Sequence, residues 1–323
     1  MTPLVSILVP CYNADRWVDA AIASALAQRG ARCEVIVVDD GSTDQTRDRV
    51  ERFRDRGVTV LQQKNRGASA ARNVALAQAR GDYIQYLDAD DVLDPDKVAR
   101  QLDRLQREPA GVVASAAWGR FVDDPATAVF THEAVWADLT PADFLVSCAL
   151  QELMFPPVAW LIPRAVCEAA GPWDEALSMN DDGEYMSRVL AASTGIVFCE
   201  DARVFYRTGN PLSYGSRTTR SAAESELRAW DRIVDTLRRL EDTPRVTTAS
   251  ATGYQRIAAR YLIDHPDVAE AAETREQSLG GGQYRFQGGA VFRAAVRVLG
   301  WKAALRLRRA HGTLRGRRVA AQG

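Results

Sequence analysis

An alternation of short apolar runs with helical segments constrains the fold of this chain more than any other feature of its sequence. The apolar runs are rich in β-branched and aromatic residues, as buried strands are, and occupy residues 5–10, 34–40, 58–62 and 83 onward. Helical spacing or an Ala-rich composition marks the segments between them, at residues 14–28, from 44, and at 67–80. The alternation predicts an α/β fold in which a parallel sheet is covered by helices on both faces.

The fourth run, YIQYLDADD at residues 83–91, ends in three carboxylates within four residues. Such a group cannot stay charged in a dry core and needs either water or a cation around it. Alternate residues of an extended segment point the same way, so Asp88 and Asp90 can converge on one ion. Their oxygens suit Mg²⁺ or Mn²⁺. The alternative is a solvated turn whose acids cap a helix that begins near Asp94.

Polar or aromatic side chains follow each of the four strands, at the edge of a parallel sheet where ligands bind. They are Tyr12 and Asn13, Asp39 and Asp40, Arg66 and Arg72, and Asp88 and Asp90. No G-x-G-x-x-G turn follows the first strand, and the sequence has no Walker lysine loop. We therefore predict a ligand site at this edge, and the sequence favours neither a dinucleotide-binding site nor a P-loop site.

The composition excludes several other classes of protein. A net charge of −1 gives no overall attraction to nucleic acid, so we expect no nucleic-acid partner. Five cysteines without a CxxC pair, together with three histidines, offer no zinc pattern and fit a reducing compartment. The sequence shows neither a signal peptide nor an apolar stretch of about 18 residues that could span a membrane. We therefore expect a cytoplasmic protein.

The second half of the chain has a less regular pattern. Strands are predicted at residues 112–121 and 158–162, and a pair of strands at 196–199 and 203–206. A helix is predicted at residues 182–192. From Ser221 onward the apolar residues follow helical spacing, with a stripe formed by Leu227, Trp230, Ile233, Val234 and Leu237. A helical extension is therefore predicted to begin near residues 215–220.

Five segments of the chain, taken together, resemble family 2 glycosyltransferases. They are VSILVPCYNADRWVDAAIASALAQ, VIVVDDGSTDQT, NRGASAARN, YLDADD and GPWDEALSMNDDGEYMSRVL, in the order and approximate spacing of that family over residues 4–208. The resemblance implies a GT-A fold and transfer of a sugar from a nucleoside diphosphate to an acceptor hydroxyl, with inversion at the anomeric centre. It also implies a catalytic domain at residues 1–215, with a nucleotide-sugar half to about 110 and an acceptor half at 111–215, and a helical extension at 216–323.

The resemblance assigns donor binding to the first half of the chain. Pro10, Tyr12, Asp39 and Arg72 match the positions around the nucleoside in the family, and Asp88 lies near the ribose. A ring can stack on a base, a carboxylate can accept from a base N–H, and a guanidinium offers a planar set of donors. The favoured donor is a UDP-sugar. The structural alternatives are a half-buried aromatic for Tyr12, a turn former for Asp39 and an exposed helix face for Arg72.

The acids after the fourth strand match the DxD motif of the family, which implies a Mn²⁺ or Mg²⁺ cofactor. Asp90 is expected to contact the cation directly, and Asp88 to contact it, the ribose or a metal-bound water. The cation would neutralise the charge that develops on the diphosphate. Asp91 and Asn73 are expected to serve the fold.

The catalytic base is expected in an acidic pair that follows a turn at residues 171–173. The family usually has Glu-Asp there, whereas this chain has Asp181-Asp182, so the resemblance assigns the base to Asp182, with Glu184 as the alternative. An acid in the first turn of a helix also complements the helix dipole, which is the structural explanation. Gly183 replaces an aromatic residue that is common in the family.

The last segment of the chain is strongly basic. No acid follows Glu276, whereas nine Lys or Arg residues accumulate between Arg293 and Arg318 among apolar residues. A basic amphipathic helix can lie on an anionic membrane, which predicts peripheral contact with the inner face and would suit a lipid-linked acceptor. The alternative is a helix docked on the core with a frayed basic end. The acceptor stays open among saccharides, lipid-linked saccharides and other hydroxyl compounds.

Two other functions stay open from the sequence. A nucleotidyltransferase can also place a metal-binding acid at a strand end, but it would need a glycine-rich basic loop after the first strand, where this chain has PCYNADRW. A non-catalytic module that only binds a nucleotide sugar would retain the same motifs.

Overall fold

The computed structural model describes residues 2–210 and 218–320, and of residues 312–320 it describes the backbone only. The strands are β1 (Leu4–Cys11), β2 (Arg32–Asp39), β3 (Thr59–Gln62), β4 (Tyr83–Tyr86), β5 (Val92–Leu93), β6 (Val112–Phe121), β7 (Ile162–Pro163) and β8 (Gly195–Arg207). Within the described residues they form a five-stranded sheet of order β3–β2–β1–β4–β7 and a three-stranded sheet of order β5–β8–β6.

The first four strands lie parallel, as the alternating pattern predicts, and their carboxyl ends meet at one edge. Leu8 on the central strand β1 pairs with Ile36 on one side and Tyr86 on the other. The ladder continues just past the strand ends, where the Asp40 N–H donates to the Cys11 carbonyl at 2.9 Å. The polar residues that follow these strands therefore lie beside one another.

Helices cover both faces of the sheet, and residues 111–215 add three more. They are α1 (Val18–Leu26), α2 (Thr46–Glu51), α3 (Ala68–Gln78), α4 (Lys97–Leu105), α5 (Pro141–Gln151), α6 (Arg164–Ala170) and α7 (Asp181–Ala192). The predicted segments are longer than these helices because turns precede them. At α2, for example, Asp44 lies in the preceding turn and accepts a hydrogen bond from the N–H of Thr46, the first residue of the helix, at 2.9 Å.

Two predictions for the second half of the chain are wrong. The predicted strand pair at residues 196–199 and 203–206 is the single strand β8, which runs parallel to β6 with an irregularity opposite Ala116 and Ala117. The exposed acids Glu200 and Asp201 interrupt the apolar run like a turn, but the extra residues bulge out while pairing resumes at Arg203. The bulged strand therefore reaches the ligand edge of the molecule.

The predicted strand at residues 158–162 is also wrong over most of its length. Residues Pro157–Ala159 form a 3₁₀ turn, and the strand β7 begins only at Ile162. Two consecutive prolines, Pro156 and Pro157, lack the N–H groups that a strand ladder needs. Leu161 and Ala114 exchange hydrogen bonds of 2.9 and 3.1 Å, which joins the two sheets.

A helical extension follows the sheets, as predicted. It comprises α8 (Arg220–Leu240), α9 (Pro244–Tyr261), α10 (Pro266–Ser278), α11 (Ala290–Leu299) and α12 (Trp301–Ala320). The predicted apolar stripe of α8 is buried in one core that is continuous with the sheet. The predicted domain boundary at residue 215 lies outside the described residues. None of the helices in the described part of the chain is long and apolar enough to span a bilayer.

Candidate functional site

A cleft with a volume of 590 Å³ opens at the carboxyl edge of the first sheet. It brings together most of the residues that the sequence singled out, since its lining includes Pro10, Tyr12, Arg72, Asp88, Asp90 and Asp182. Tyr12 is 42% exposed at the end of β1 and leaves one face open to a ligand. Asp39 is different: it is buried at the end of β2, accepts from the Ser42 N–H at 3.1 Å and is not among the lining residues.

Arg72 connects the two acidic parts of this cleft. Its buried guanidinium donates to Asp88 at 2.7 Å and to Asp181 at 3.2 Å. It also lies 4.4 Å from the centroid of the Trp173 ring, which stacks on Tyr185 with 4.0 Å between centroids. Burial disfavours the charge on Arg72, but the two carboxylates outweigh burial and raise its pKa. The exposed helix face considered for Arg72 is therefore wrong.

The acids after β4, Asp88, Asp90 and Asp91, repel one another in a largely buried site. Burial raises the pKa of Asp90, and the charge of Asp88 adds to that effect, although Asn210 donates to Asp90 at 2.7 Å. Asp91 accepts from the Arg207 N–H at 2.8 Å, and its other oxygen is buried without a partner. Burial and the charges of Asp90 and Asp88 raise the pKa of Asp91 as well. A bound cation would relieve this repulsion, so the residues fit a divalent metal.

The described side chains do not form a complete set of metal ligands by themselves. Among residues 2–210 and 218–320, no three His, Cys, Asp or Glu side chains are arranged to hold an ion together. A cation at Asp88 and Asp90 would therefore need further oxygen ligands from the substrate or from water, which is the usual arrangement for Mg²⁺ with phosphates.

Arg207 and Asn210 belong to this site, and the sequence reasoning missed both. The Arg207 guanidinium donates to the Asp90 carbonyl at 2.9 Å and lies 4.4 Å from the Phe121 ring centroid. Arg207 is the last residue of the bulged strand β8 and Asn210 follows it, whereas the sequence pattern predicts two short strands there. Reading residues 195–207 as one strand would have carried them to the same sheet edge as the DxD acids.

Asp182 lies in the first turn of α7, as predicted, and faces the cleft. Burial and then the charge of Asp181 raise its pKa to about 6, even though the Gly183 N–H donates to it at 2.8 Å. The alternative base, Glu184, is buried, is held by Arg188 at 2.8 and 2.9 Å, and does not line the cleft. The geometry thus favours Asp182 as the acid that meets a ligand.

The replacement of an aromatic residue by Gly183 has a local cause. Asn180 adopts a left-handed conformation with φ of 58° just before α7. A Cβ atom at residue 183 would overlap the Asn180 side chain. With this conformation of Asn180, the entry into α7 leaves no space for a side chain at residue 183.

Two residues assigned to the fold are placed accordingly. The Asn73 side chain donates to the Trp173 carbonyl at 2.9 Å and accepts from the Trp173 N–H at 2.8 Å. Asp91 is buried and bonds β8, as described above. Asp40, a neighbour of Asp39, likewise accepts from the Arg66 and Gly67 N–H groups at 2.9 and 2.8 Å and fixes the turn before α3.

The helical extension forms the far wall of the cleft, a contribution that the sequence analysis did not predict. Glu226 of α8, together with Arg256 and Arg260 of α9, lines the cleft beyond Asn180 and Met154. The extension is therefore part of the site.

Comparison with known proteins identifies the first half of the chain. The model of the family described as "Glycosyl transferase family 2" matches residues 6–169. A putative teichuronic acid biosynthesis glycosyltransferase, TuaG of Bacillus subtilis, is 42% identical over 104 residues, which are 31% of this chain and 41% of that protein. The chain thus matches about two fifths of the length of the first curated relatives.

Solved structures share the fold over most of the chain. TarS 1–349 of S. aureus in complex with UDP-GlcNAc has a TM-score of 0.61 at 18% identity, covering 88% of this chain and 94% of that one. The mannosyltransferase PcManGT of Pyrobaculum calidifontis, in complex with GDP-Man and Mn²⁺, has a TM-score of 0.51 at 18% identity, covering 95% and 87%. These likenesses establish the GT-A fold, with C-terminal helices after it, as predicted from the sequence.

Proposed function

We propose that this chain, which belongs to glycosyl transferase family 2, transfers a sugar from a nucleoside diphosphate to an acceptor hydroxyl in the synthesis of a polysaccharide or another glycoconjugate. One observation carries the proposal: Arg72 joins the DxD acid Asp88 to the Asp181-Asp182 pair across a single cleft. Diphosphate binding and acceptor activation then occur side by side, as sugar transfer requires.

The donor occupies the edge formed by β1, β2 and β4, with a UDP-sugar as the favoured donor. Tyr12 stacks on the base beside Pro10, and Asp88 bonds the ribose. Asp39 accepts a hydrogen bond from the base, for which the turn that now bonds the Ser42 N–H to Asp39 has to open. Arg72 supplies fixed positive charge near the leaving diphosphate. The UDP-GlcNAc complex of TarS, a protein of the same fold, supports this choice.

A Mn²⁺ or Mg²⁺ ion is the proposed cofactor, held by Asp90 and Asp88. When bound, it supplies Lewis-acid stabilisation of the diphosphate. Asn210 and Arg207 fix the orientation of Asp90 through its side chain and its carbonyl. The Mn²⁺ complex of PcManGT, again a protein of the same fold, supports a divalent cation.

Asp182 acts as the base and removes the proton of the acceptor hydroxyl. Its pKa of about 6 leaves it ionised at neutral pH and still basic enough to accept a proton. Asp181 is tied to Arg72 at 3.2 Å and to Ser69 at 3.0 Å, so it orients the start of α7 and cannot easily take this role. A hydroxyl activated opposite the diphosphate attacks with inversion.

The basic end of the chain is proposed to touch the inner face of a membrane. Val291 and Val298 of α11 are 86% and 80% exposed, and Arg293 and Arg297 lie between them in sequence. Apolar side chains interspersed with cations suit an anionic bilayer surface. The side chains of Arg315, Arg317 and Arg318 lie outside the described part of the chain.

The proposal is tested by the thermal stability of the full chain with UDP, GDP and their sugars, with and without Mn²⁺. A donor that binds the native state raises the melting temperature by mass action. We expect UDP with Mn²⁺ to stabilise the wild type, and Asp90→Asn to lose the metal-dependent part. If no nucleotide changes the melting temperature, a transferase is excluded. In a separate assay with a nucleoside triphosphate, release of pyrophosphate would favour a nucleotidyltransferase.

A further inference from the structure

A second cavity, with a volume of 560 Å³, adjoins the catalytic cleft on its acceptor side. The two share part of their lining, which includes Met154, Asn180, Glu226, Arg256 and Arg260. The second cavity continues between α9 and the last two helices of the described chain. An acceptor that reaches Asp182 can therefore extend into it without leaving the protein surface.

The acids that face this cavity already have donors. Glu226 is buried, and it accepts from the Tyr261 hydroxyl at 2.7 Å and pairs with Arg260 at 3.5 Å. Glu152 accepts from the Tyr284 hydroxyl at 3.3 Å. Glu226 thus offsets the charge of Arg260, and Glu152 is the second carboxylate of a cavity that is also lined by Arg256 and Arg308.

Arg256 is the cation left over. Among the described side chains, residues 2–210 and 218–311, it forms no ion pair with a carboxylate, although it is partly buried. Its guanidinium lies 5.3 Å from the centroid of the Trp230 ring, and stacking of this kind leaves the N–H groups available to a ligand. A half-buried guanidinium without a carboxylate suits an oxyanion ligand.

The other end of the cavity carries a third arginine and a group of aromatic rings. Arg308 lies 4.2 Å from the Phe292 ring centroid and donates to the Gln287 carbonyl at 3.2 Å. Phe286 stacks on Trp301 with 5.5 Å between centroids and meets the edge of Tyr284. Aromatic faces beside guanidinium groups suit a sugar that bears a negative charge.

We propose that the acceptor is an anionic saccharide, and that Arg256 binds its phosphate or carboxylate group in this second cavity. The inference rests on the proposed function, because it names the class of acceptor for the same site. Three guanidinium groups line the cavity against two carboxylates, which leaves one positive charge in excess, so an anionic ligand meets a net attraction.

The test uses the full chain saturated with UDP and Mn²⁺, so that the donor site is filled. Glucose 1-phosphate, glucuronate and glucose are titrated by calorimetry into the wild type, Arg256→Gln, Arg256→Lys and the control Arg238→Gln. Arg238 lies exposed on α8 away from both cavities, and its replacement makes the same change of charge. Binding of UDP to each variant is measured first and reports on the proposed function alone.

We expect at least one of the charged sugars to bind about ten-fold or more tighter than glucose, as one charge-assisted hydrogen bond provides. Arg256→Gln should lose this preference, Arg256→Lys should keep part of it, and Arg238→Gln should keep all of it. The better ligand tells phosphate from carboxylate. Equal affinity for the three sugars in the wild type, or a preference that persists in Arg256→Gln, would overturn the inference even if UDP binds normally.

Discussion

At the scale of single residues, the cleft is organised by one buried cation. Arg72 lies between the carboxylates of Asp88 and Asp181, over the ring of Trp173. Because Arg72 bonds Asp88 and Asp181, Asp182 has no cationic hydrogen-bond partner of its own among the described residues. Burial and the neighbouring charge of Asp181 therefore raise its pKa. The residue that holds the acids together thereby also leaves the proposed base free to accept a proton.

The raised pKa of Asp182 makes a prediction about pH. The base must be ionised, and its ionised fraction falls as pH drops through about 6. We expect kcat/KM for transfer to fall about tenfold per pH unit below that value and to be level above it. Asp182→Asn should lose about 10²-fold or more of the transfer rate at pH 7.5, with UDP binding unchanged.

The melting temperature of Asp182→Asn is the control, because it reports whether the variant folds. Ionising an acid whose pKa is raised by folding costs stability above its folded pKa, and this cost is absent below its unfolded pKa. Asp182→Asn should therefore melt no lower than the wild type at pH 7.5. A variant with full transfer activity would remove Asp182 from the base role, whereas a lower melting temperature would show that its loss of activity comes from misfolding.

At the scale of elements, the start of α7 and the pairing of α8 with α9 shape the acceptor side. α7 packs on α8, and the Ser225 hydroxyl of α8 accepts from the Ser178 and Met179 N–H groups at 2.8 and 2.9 Å, just before the Asp181-Asp182 pair. The extension thus supports the loop that carries the proposed base. Trp230 of α8 packs against Gly253 of α9 and donates to the Ser250 carbonyl at 3.1 Å.

Gly253→Ala tests this helix contact. Alanine normally stabilises a helix interior by about 1 kcal/mol relative to glycine, but here its Cβ would overlap the Trp230 ring. We expect a net loss of about 1–3 kcal/mol in the free energy of unfolding, measured by urea denaturation. The control is Gly289→Ala, where an added Cβ meets nothing within 4 Å. Equal effects of the two substitutions would contradict the packing argument.

At the scale of the whole molecule, a chain with a net charge of −1 concentrates its positive charge at one end. The last helices are fixed to the rest of the protein on one side, where Lys302 pairs with Glu273 at 2.6 Å and Ala304 is buried. On the other side α11 has no buried residues. The basic end is therefore docked, as one reading of the sequence held, and still presents an apolar surface.

Membrane contact is tested by pelleting the full chain with vesicles that contain anionic lipid. We expect Val291→Asp combined with Val298→Asp to reduce the bound fraction severalfold, because both exposed apolar side chains and part of the net positive charge are lost. The control, Val122→Asp, alters a valine that is 55% exposed elsewhere. Binding that is equal for the wild type and for a chain ending at residue 285 would exclude membrane contact through this end.

Local sequence patterns predict the parallel sheet and the edge at which the cleft opens, and the predicted site residues other than Asp39 line that cleft. Strand runs and helical spacing are local patterns, and parallel strands bring their carboxyl ends to one edge whatever the details of packing. This is why the strand ends point to Tyr12, Arg72, Asp88 and Asp90, whereas Asp182 follows from the resemblance to family 2 glycosyltransferases.

Which of these groups touch, and which others complete the site, depends on contacts between distant parts of the chain. The bulge that makes β8 one strand, and with it the placement of Arg207 and Asn210, depends on pairing with β6, which is distant in sequence. Asp182 is preferred over Glu184 because Arg188 holds Glu184. The far wall of the cleft depends on how α9 packs against the core. Contacts between distant residues and the burial they create leave no local pattern to read.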